Sequence, residues 1–223
     1  MPIRAVIFDY GNVLCPLPRV SEYEELRRLA GLEEQPFQDS FWRYRLDYDR
    51  STLDGMAYWR RVAQANGKAF SDELIRKLIA TDIALWINPD RVLLRWAHRL
   101  HDSGLKTAIL SNMPRDLALY LRQNAAWLPQ FDHAVFSGEI GLIKPAPEIY
   151  LACLKGLDVR AEEALFLDDS AANVEGALSL GVQALRFESA AQLAAEIQRW
   201  GLPPVAMEQR FHQLSPTPGS PVS

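Results

Sequence analysis

Short apolar runs that stop at polar residues, each followed by a helical stretch, recur along this chain and constrain its fold more than any other feature. The first run, residues 3–8, is almost unbroken in apolar character and stops at Asp9. Such a run reads as a strand buried on both faces, as in a parallel sheet covered by helices. Residues 107–110 repeat the pattern and stop at Ser111-Asn112, and residues 164–167 stop at Asp168-Asp169. Residues 133–136 and 183–187 supply two more strands. The helical pattern falls on 92–100, 115–123, 147–155, 173–180 and 190–200. Strands separated by helices of this length imply right-handed crossovers, hence an α/β, doubly wound, Rossmann-like parallel sheet of five strands. Ligands bind along the carboxyl edge of such a sheet, where Asp9 and the other polar strand ends lie.

Residues 21–87 break the alternation. They carry no strand signal and read as three to five short helices rich in aromatic residues, interrupted near 31–36, 51–55 and 66–71, with Ser71-Asp72-Glu73 as a helix start. Prolines mark both ends of the block, at Pro16 and Pro18 and again at Pro89. The expected organisation is a core made of 1–15 and 89–202, an all-helical cap at 16–88, and a disordered or loosely docked tail at 203–223, where proline and serine dominate. A formal net charge of −4 provides no attraction for nucleic acid or an anionic membrane surface. The two cysteines, Cys15 and Cys153, lie far apart in no metal-type spacing and fit reduced thiols in a cytoplasmic protein. No apolar run reaches the roughly 20 residues of a membrane span.

Each polar cluster has a plain reading beside a chemical one. Asp9 could close a turn, Ser111 or Asn112 could cap the helix after Pro114, Lys144 could be a solvated loop lysine, and Asp168 or Asp169 could cap a helix through Ser170. The acidic pair resists this treatment, because two adjacent carboxylates at a buried strand end are costly unless a cation or a lysine compensates. Together the groups suit phosphoryl transfer. Asp9 is the candidate nucleophile, Mg²⁺ would bridge Asp9 and Asp169 with Asp168 nearby, and Lys144 and Ser111 would hold phosphate oxygens. The same set could also position a carboxylate substrate.

The segments Ile7-Phe8-Asp9-Tyr10-Gly11-Asn12-Val13-Leu14, Ile109-Leu110-Ser111-Asn112, Gly141-Leu142-Ile143-Lys144-Pro145 and Phe166-Leu167-Asp168-Asp169-Ser170 occur in the order of the four signatures of the haloacid dehalogenase-like hydrolases. The chain resembles that superfamily across about residues 3 to 200, and within it the capped branch of sugar-phosphate phosphatases and the phosphatase domain of soluble epoxide hydrolase. The resemblance implies catalytic roles for Asp9 and Lys144 and phosphate binding by Ser111, Asn112 and Lys144. It also implies a Mg²⁺ site from Asp9, the Gly11 carbonyl, Asp169 and Asp168, with Asn173 orienting the last loop. The implied substrate is a small phosphorylated metabolite.

One position departs from the pattern. The resembling phosphatases carry a general-acid aspartate two residues after the nucleophile, and here that residue is Gly11. The loss could leave a slow enzyme, one limited to good leaving groups, or one drawing a proton from the cap, with Asp47, Tyr44 and Tyr48 as candidates. Tyr10 is expected to point away, and Asn12 is a weaker polar neighbour. Two other functions compete: a metal-free 2-haloacid dehalogenase using Asp9 on carbon, whose resembling members lack the acidic pair, and a non-catalytic binding protein on the same fold. Substrate choice is expected from the cap segment 41–48, although Trp42 and Tyr48 could equally sit in the cap core.

Overall fold

The computed structural model describes residues 2–206. Strand β1 (Ala5–Phe8) is followed by the helices α1 (Val20–Ala30), α2 (Glu34–Arg43), α3 (Arg45–Asp49), α4 (Gly55–Ala65), α5 (Asp72–Ala84) and α6 (Arg91–Asp102). Then come β2 (Lys106–Ser111), α7 (Arg115–Asn124), β3 (His133–Phe136), α8 (Ser137–Ile140), α9 (Pro147–Leu157), β4 (Ala164–Asp168), α10 (Ala171–Ser179), β5 (Gln183–Arg186) and α11 (Ala190–Glu196). The five strands form one parallel sheet in the order β3-β2-β1-β4-β5. β1 is therefore central, with β2 and β4 on either side.

Alternation along β1 divides its side chains between two cores. Val6 and Phe8 pack with Leu93, Trp96 and Leu100 of α6 on one face, whereas Ala5 and Ile7 pack with Ile149 and Cys153 of α9 and Ala177 of α10 on the other. Phe8 is fully buried and meets the Trp96 ring edge-on at 5.6 Å. Burying a side chain of that size contributes about 1.5–3 kcal/mol. Helices on both faces are what allow every residue of the strand to be apolar.

Helices α1 to α5 enclose a third core of their own, built on Leu26, Phe37, Phe41, Tyr48, Tyr58, Trp59, Ile75 and Leu78. The two connections to the sheet run side by side: the Asp90 N–H donates to the Leu14 carbonyl at 2.7 Å, and the Cys15 thiol to the Asn88 carbonyl. Asp90 then caps α6, its Oδ1 accepting from the N–H groups of Val92 and Leu93. Two further bonds tie this block to the core, from the Tyr48 hydroxyl to Asp116 Oδ2 (2.8 Å) and from the Ser137 hydroxyl to the Asp49 carbonyl (2.6 Å).

Three local features differ from the sequence reading, and the tail adds a detail. Helix α2 starts at Glu34, so Pro36 lies inside its first turn, where a missing N–H costs nothing. The stretch read as a loop from Ser137 contains the one-turn helix α8, stopped by Gly141 at φ 72°. The last helix tightens to a 3-10 turn over Ile197–Trp200. The start of the tail is docked: the Trp96 indole donates to the Pro203 carbonyl at 2.8 Å and Val205 is buried. Residues 207–223, also expected to be loose, lie outside the described residues. Among the described residues no helix is long and apolar enough to cross a membrane.

Candidate active site

Parallel pairing brings the polar strand ends together. Asp9 directly follows β1, and its N–H donates to the Leu167 carbonyl of β4 at 2.8 Å; Ser111 ends β2, and Asp168 ends β4. Lys144 reaches this edge from the loop after α8. Its ammonium lies 2.9 Å from Asp9 Oδ1 and 2.6 Å from Asp168 Oδ2, and the side chain is almost wholly buried. The reading of Lys144 as a solvated loop residue therefore fails.

Asp168 is saturated by the protein itself. Besides Lys144, its carboxylate accepts from the Ser170 N–H at 2.8 Å and from the Asn173 amide at 3.1 Å. Asp169 is more open, and its Oδ2 accepts from Asn12 Nδ2 at 2.9 Å. Asn12 holds φ 56°, a left-handed conformation asparagine tolerates better than most residues, and this aims its amide across the edge. Asn112 is engaged with Lys144: its Oδ1 accepts the Lys144 N–H (2.8 Å) and its Nδ2 donates to the Lys144 carbonyl (3.0 Å). Both polar atoms of this side chain are thereby engaged with the backbone of the lysine loop.

Asp9, Asp168 and Asp169 each present an oxygen within 4.8 Å of the others. Three carboxylates face one buried ammonium, which leaves excess negative charge in a dry site. Burial accordingly pushes the Asp9 carboxyl up to about 7, against the pull of Lys144 and with a further push from Asp168. Lys144 is held above its ordinary value by Asp9 and Asp168, which outweigh its own burial. An all-oxygen donor set with surplus negative charge fits a hard divalent cation such as Mg²⁺. The Gly11 carbonyl, which accepts no hydrogen bond among the described residues, lies in the same turn.

Gly11 itself is not in a left-handed conformation, and a Cβ there would meet only the Trp86 ring, at 3.6 Å. A side chain is thus admissible where the resembling phosphatases carry their acid. Tyr10 is no substitute: its ring is buried against Trp127 and its hydroxyl donates to the Trp86 carbonyl at 2.6 Å. Of the cap candidates, Asp47 is exposed and bonded to Thr52, and the Tyr48 hydroxyl is committed to Asp116.

Next to this edge a cavity of about 160 Å³ lies between sheet and cap, lined by Gly11, Ser111 and Asn112 below and by Trp42, Arg45, Asp49 and Trp86 above. Trp42 and Arg45 belong to the segment expected to govern specificity, whereas Tyr48 belongs to the cap core. Asp49 and Trp86 are not among the residues the sequence singles out. Asp49 carried a signal, standing four residues after Arg45 on a helical pattern; Trp86 carried none.

With this geometry in view, residues 3–181 match the haloacid dehalogenase-like hydrolase family. The chain belongs to that family. Among its relatives in the family is the phosphatase MT3486 of Mycobacterium tuberculosis, 31% identical over 86% of this chain and 90% of that protein. Another is (S)-2-haloacid dehalogenase 1 of Pseudomonas sp., 28% identical over 83% and 85%. In fold the chain is similar to the HAD family enzyme bt-2542 of Bacteroides thetaiotaomicron, solved in complex with magnesium and inorganic phosphate, with a TM-score of 0.67 and 21% identity over 83% of this chain and 94% of that one. This haloacid dehalogenase-like hydrolase thus has both phosphatases and dehalogenases among its kin, and the choice between them falls to the site.

Proposed function

We propose that this hydrolase is a Mg²⁺-dependent phosphatase that cleaves a small phosphorylated metabolite through an aspartyl-phosphate on Asp9. One observation carries the reading: a second and third carboxylate, Asp168 and Asp169, share the edge with Asp9 and exceed the charge of Lys144. Attack on a haloacid carbon by Asp9 needs no such surplus, whereas a dianionic phosphate needs a cation to approach a carboxylate at all. The phosphatase MT3486 and the magnesium and phosphate bound by the Bacteroides enzyme accord with this choice.

In this reading Asp9, Asp169 and the Gly11 carbonyl hold the cation, which when bound neutralises phosphate charge. Asp9 Oδ1 is tethered by Lys144, leaving Oδ2 to attack phosphorus. Lys144 and the Ser111 hydroxyl take phosphate oxygens, and Asn112 and Asn173 keep Lys144 and Asp168 in place. As the Asp9–phosphorus bond forms, the ester P–O bond breaks and the alkoxide leaves, taking a proton from solvent. Water then attacks the phosphorus of the aspartyl-phosphate, releasing inorganic phosphate and returning Asp9 as a carboxylate, with the water's proton passing to solvent.

The direct test is hydrolysis of a phosphomonoester panel with and without Mg²⁺, run beside 2-chloropropionate. Turnover of the haloacid alone, in the presence of chelator, would refute the phosphatase reading. Within it, Asp169→Ala is expected to raise the half-saturating Mg²⁺ concentration on the order of 100-fold, seen in activity and in calorimetric titration. Asp168→Ala should instead lower the unfolding temperature, since it strips Lys144 and Asn173 of their shared partner. The opposite ranking would exchange the roles of the two carboxylates.

Gly11 yields a second expectation. Without a side-chain acid, an alkoxide must leave unaided, so phenyl phosphate should turn over faster than a primary alkyl phosphate by roughly 10²–10⁴, the usual worth of general acid catalysis. Gly11→Asp should narrow that gap, because the backbone and the neighbouring Trp86 admit the side chain. A gap already absent in the unmodified enzyme, measured on the chemical step, would mean that another group supplies the proton.

A further inference from the structure

Arg45 and Asp49 form a polar pair set into an otherwise apolar roof. The Arg45 Nε donates to Asp49 Oδ1 at 3.0 Å, and its Nη1 forks onto both oxygens of Asp82 at 2.9 and 3.1 Å. The guanidinium lies over the rings of Phe41 and Tyr48, which fix its plane. Both residues are only 8% exposed, and both line the cavity. Asp49 Oδ2 makes no hydrogen bond among the described residues, and beyond Asp49 and Asp82 the guanidinium has the Tyr58 hydroxyl as a further side-chain partner. The pair thus keeps guanidinium N–H capacity on Nη2 and one free carboxylate oxygen, on two residues that line the cavity together with Trp42, Trp86, Met113 and Leu117.

We infer that Arg45 and Asp49 are the subsite for the leaving group, and that they select a compact, uncharged alcohol bearing at least one hydroxyl besides the esterified one. The inference rests on the phosphatase reading and assigns the part of the substrate that reading leaves open. Asp9 and Lys144 lie outside the cavity lining, which meets the catalytic edge at Tyr10, Gly11, Ser111 and Asn112, so the space lies beside the reacting groups, where the ester's carbon part must go.

A hydroxyl can accept from Nη2 and donate to Oδ2 at once; neither an ammonium nor a second anion can satisfy both. A second anion is disfavoured further because Asp49 and Asp82 together exceed the charge of Arg45. Burial raises the Asp49 carboxyl to about 6 against the pull of Arg45, with Asp82 adding to the rise, and it remains mostly ionised at neutral pH. The indoles of Trp42 and Trp86 offer flat surfaces to C–H groups. At about 160 Å³ the cavity is small for a ligand site and suits a leaving group of a few carbons.

The test needs no variant at first. With Mg²⁺ present, the unmodified enzyme is given glycerol 1-phosphate, n-propyl phosphate, O-phosphoethanolamine and phosphoglycolate, with phenyl phosphate as a reference. Glycerol 1-phosphate should exceed n-propyl phosphate at least about 10-fold in kcat/KM, mainly through KM, because a hydroxyl meeting a charged partner in a buried site is worth that much. Asp49→Asn should bring the glycerol-to-propyl ratio close to one, with the mutant's fold checked by its unfolding temperature.

Equal kcat/KM for the glycerol and propyl esters, or a preference for the cationic or the anionic ester, would overturn the subsite while leaving the phosphatase reading intact. So would an Asp49→Asn effect confined to kcat and growing with leaving-group basicity, which would make Asp49 a proton donor. Hydrolysis of none of the five esters would overturn the phosphatase reading and the subsite with it. If Asp49→Asn does not fold, the comparison in the unmodified enzyme decides.

Discussion

Asp9→Asn is expected to remove phosphatase turnover, by on the order of 10⁵-fold or more, while the protein stays folded. The size follows from the role: with no carboxylate to attack phosphorus, cation, lysine and hydroxyl surround a substrate that nothing engages covalently, and the parts of such a unit fail together. The folded state should not suffer. Burial already pushes the Asp9 carboxyl up to about 7, so the charged group is strained in the absence of metal and a neutral isostere relieves that strain. Steady-state assays on the best substrate of the panel, paired with thermal unfolding in chelator, check both halves. Activity retained within about 10-fold would eliminate the covalent mechanism and leave Asp9 only as a metal ligand.

Lys144→Met carries the second large effect, and here stability and activity fall together. The lysine is the one buried cation between Asp9 and Asp168, and removing one partner of a buried ion pair typically costs about 3–5 kcal/mol because the remaining charges lose their compensation. The loss should be greatest in chelator and smaller with Mg²⁺, since a divalent cation offsets the same carboxylates. Turnover should fall on the order of 10³-fold as well, because a phosphate oxygen loses its charged donor. An unfolding midpoint in chelator equal to that of the unmodified protein would show that Lys144 does not compensate the carboxylates.

Much of this was legible in the sequence because it is local. An apolar run that ends at Asp9, another that ends at Ser111 and a third that ends at Asp168-Asp169 state both the strand and the polar group at its tip, and parallel pairing then has one edge to place them on. The cap announced itself as an aromatic block without strand signals between two proline-marked joints, and the Gly11 departure required only counting from Asp9.

What remained hidden depended on contacts between residues far apart in the chain. The sequence offers Asn112 as one more polar residue at a strand tip; only the approach of the lysine loop, 32 residues later, turns its amide onto the Lys144 backbone. Arg45 and Asp49 stand one helical turn apart in the sequence, but only helix packing within the cap buries them against Asp82, 37 residues after Arg45, and places both on the cavity lining. Trp86 gains its place beside Gly11 because the chain re-enters the core where it left it, at the Leu14–Asp90 hydrogen bond. Periodicity and punctuation determined the elements and the strand-end positions of Asp9, Ser111 and Asp168, since those follow from a residue's neighbours in the chain. Which polar atoms were consumed by the protein and which were left for a substrate was decided by the tertiary structure alone, because that depends on which groups packing brings within about 3 Å of one another.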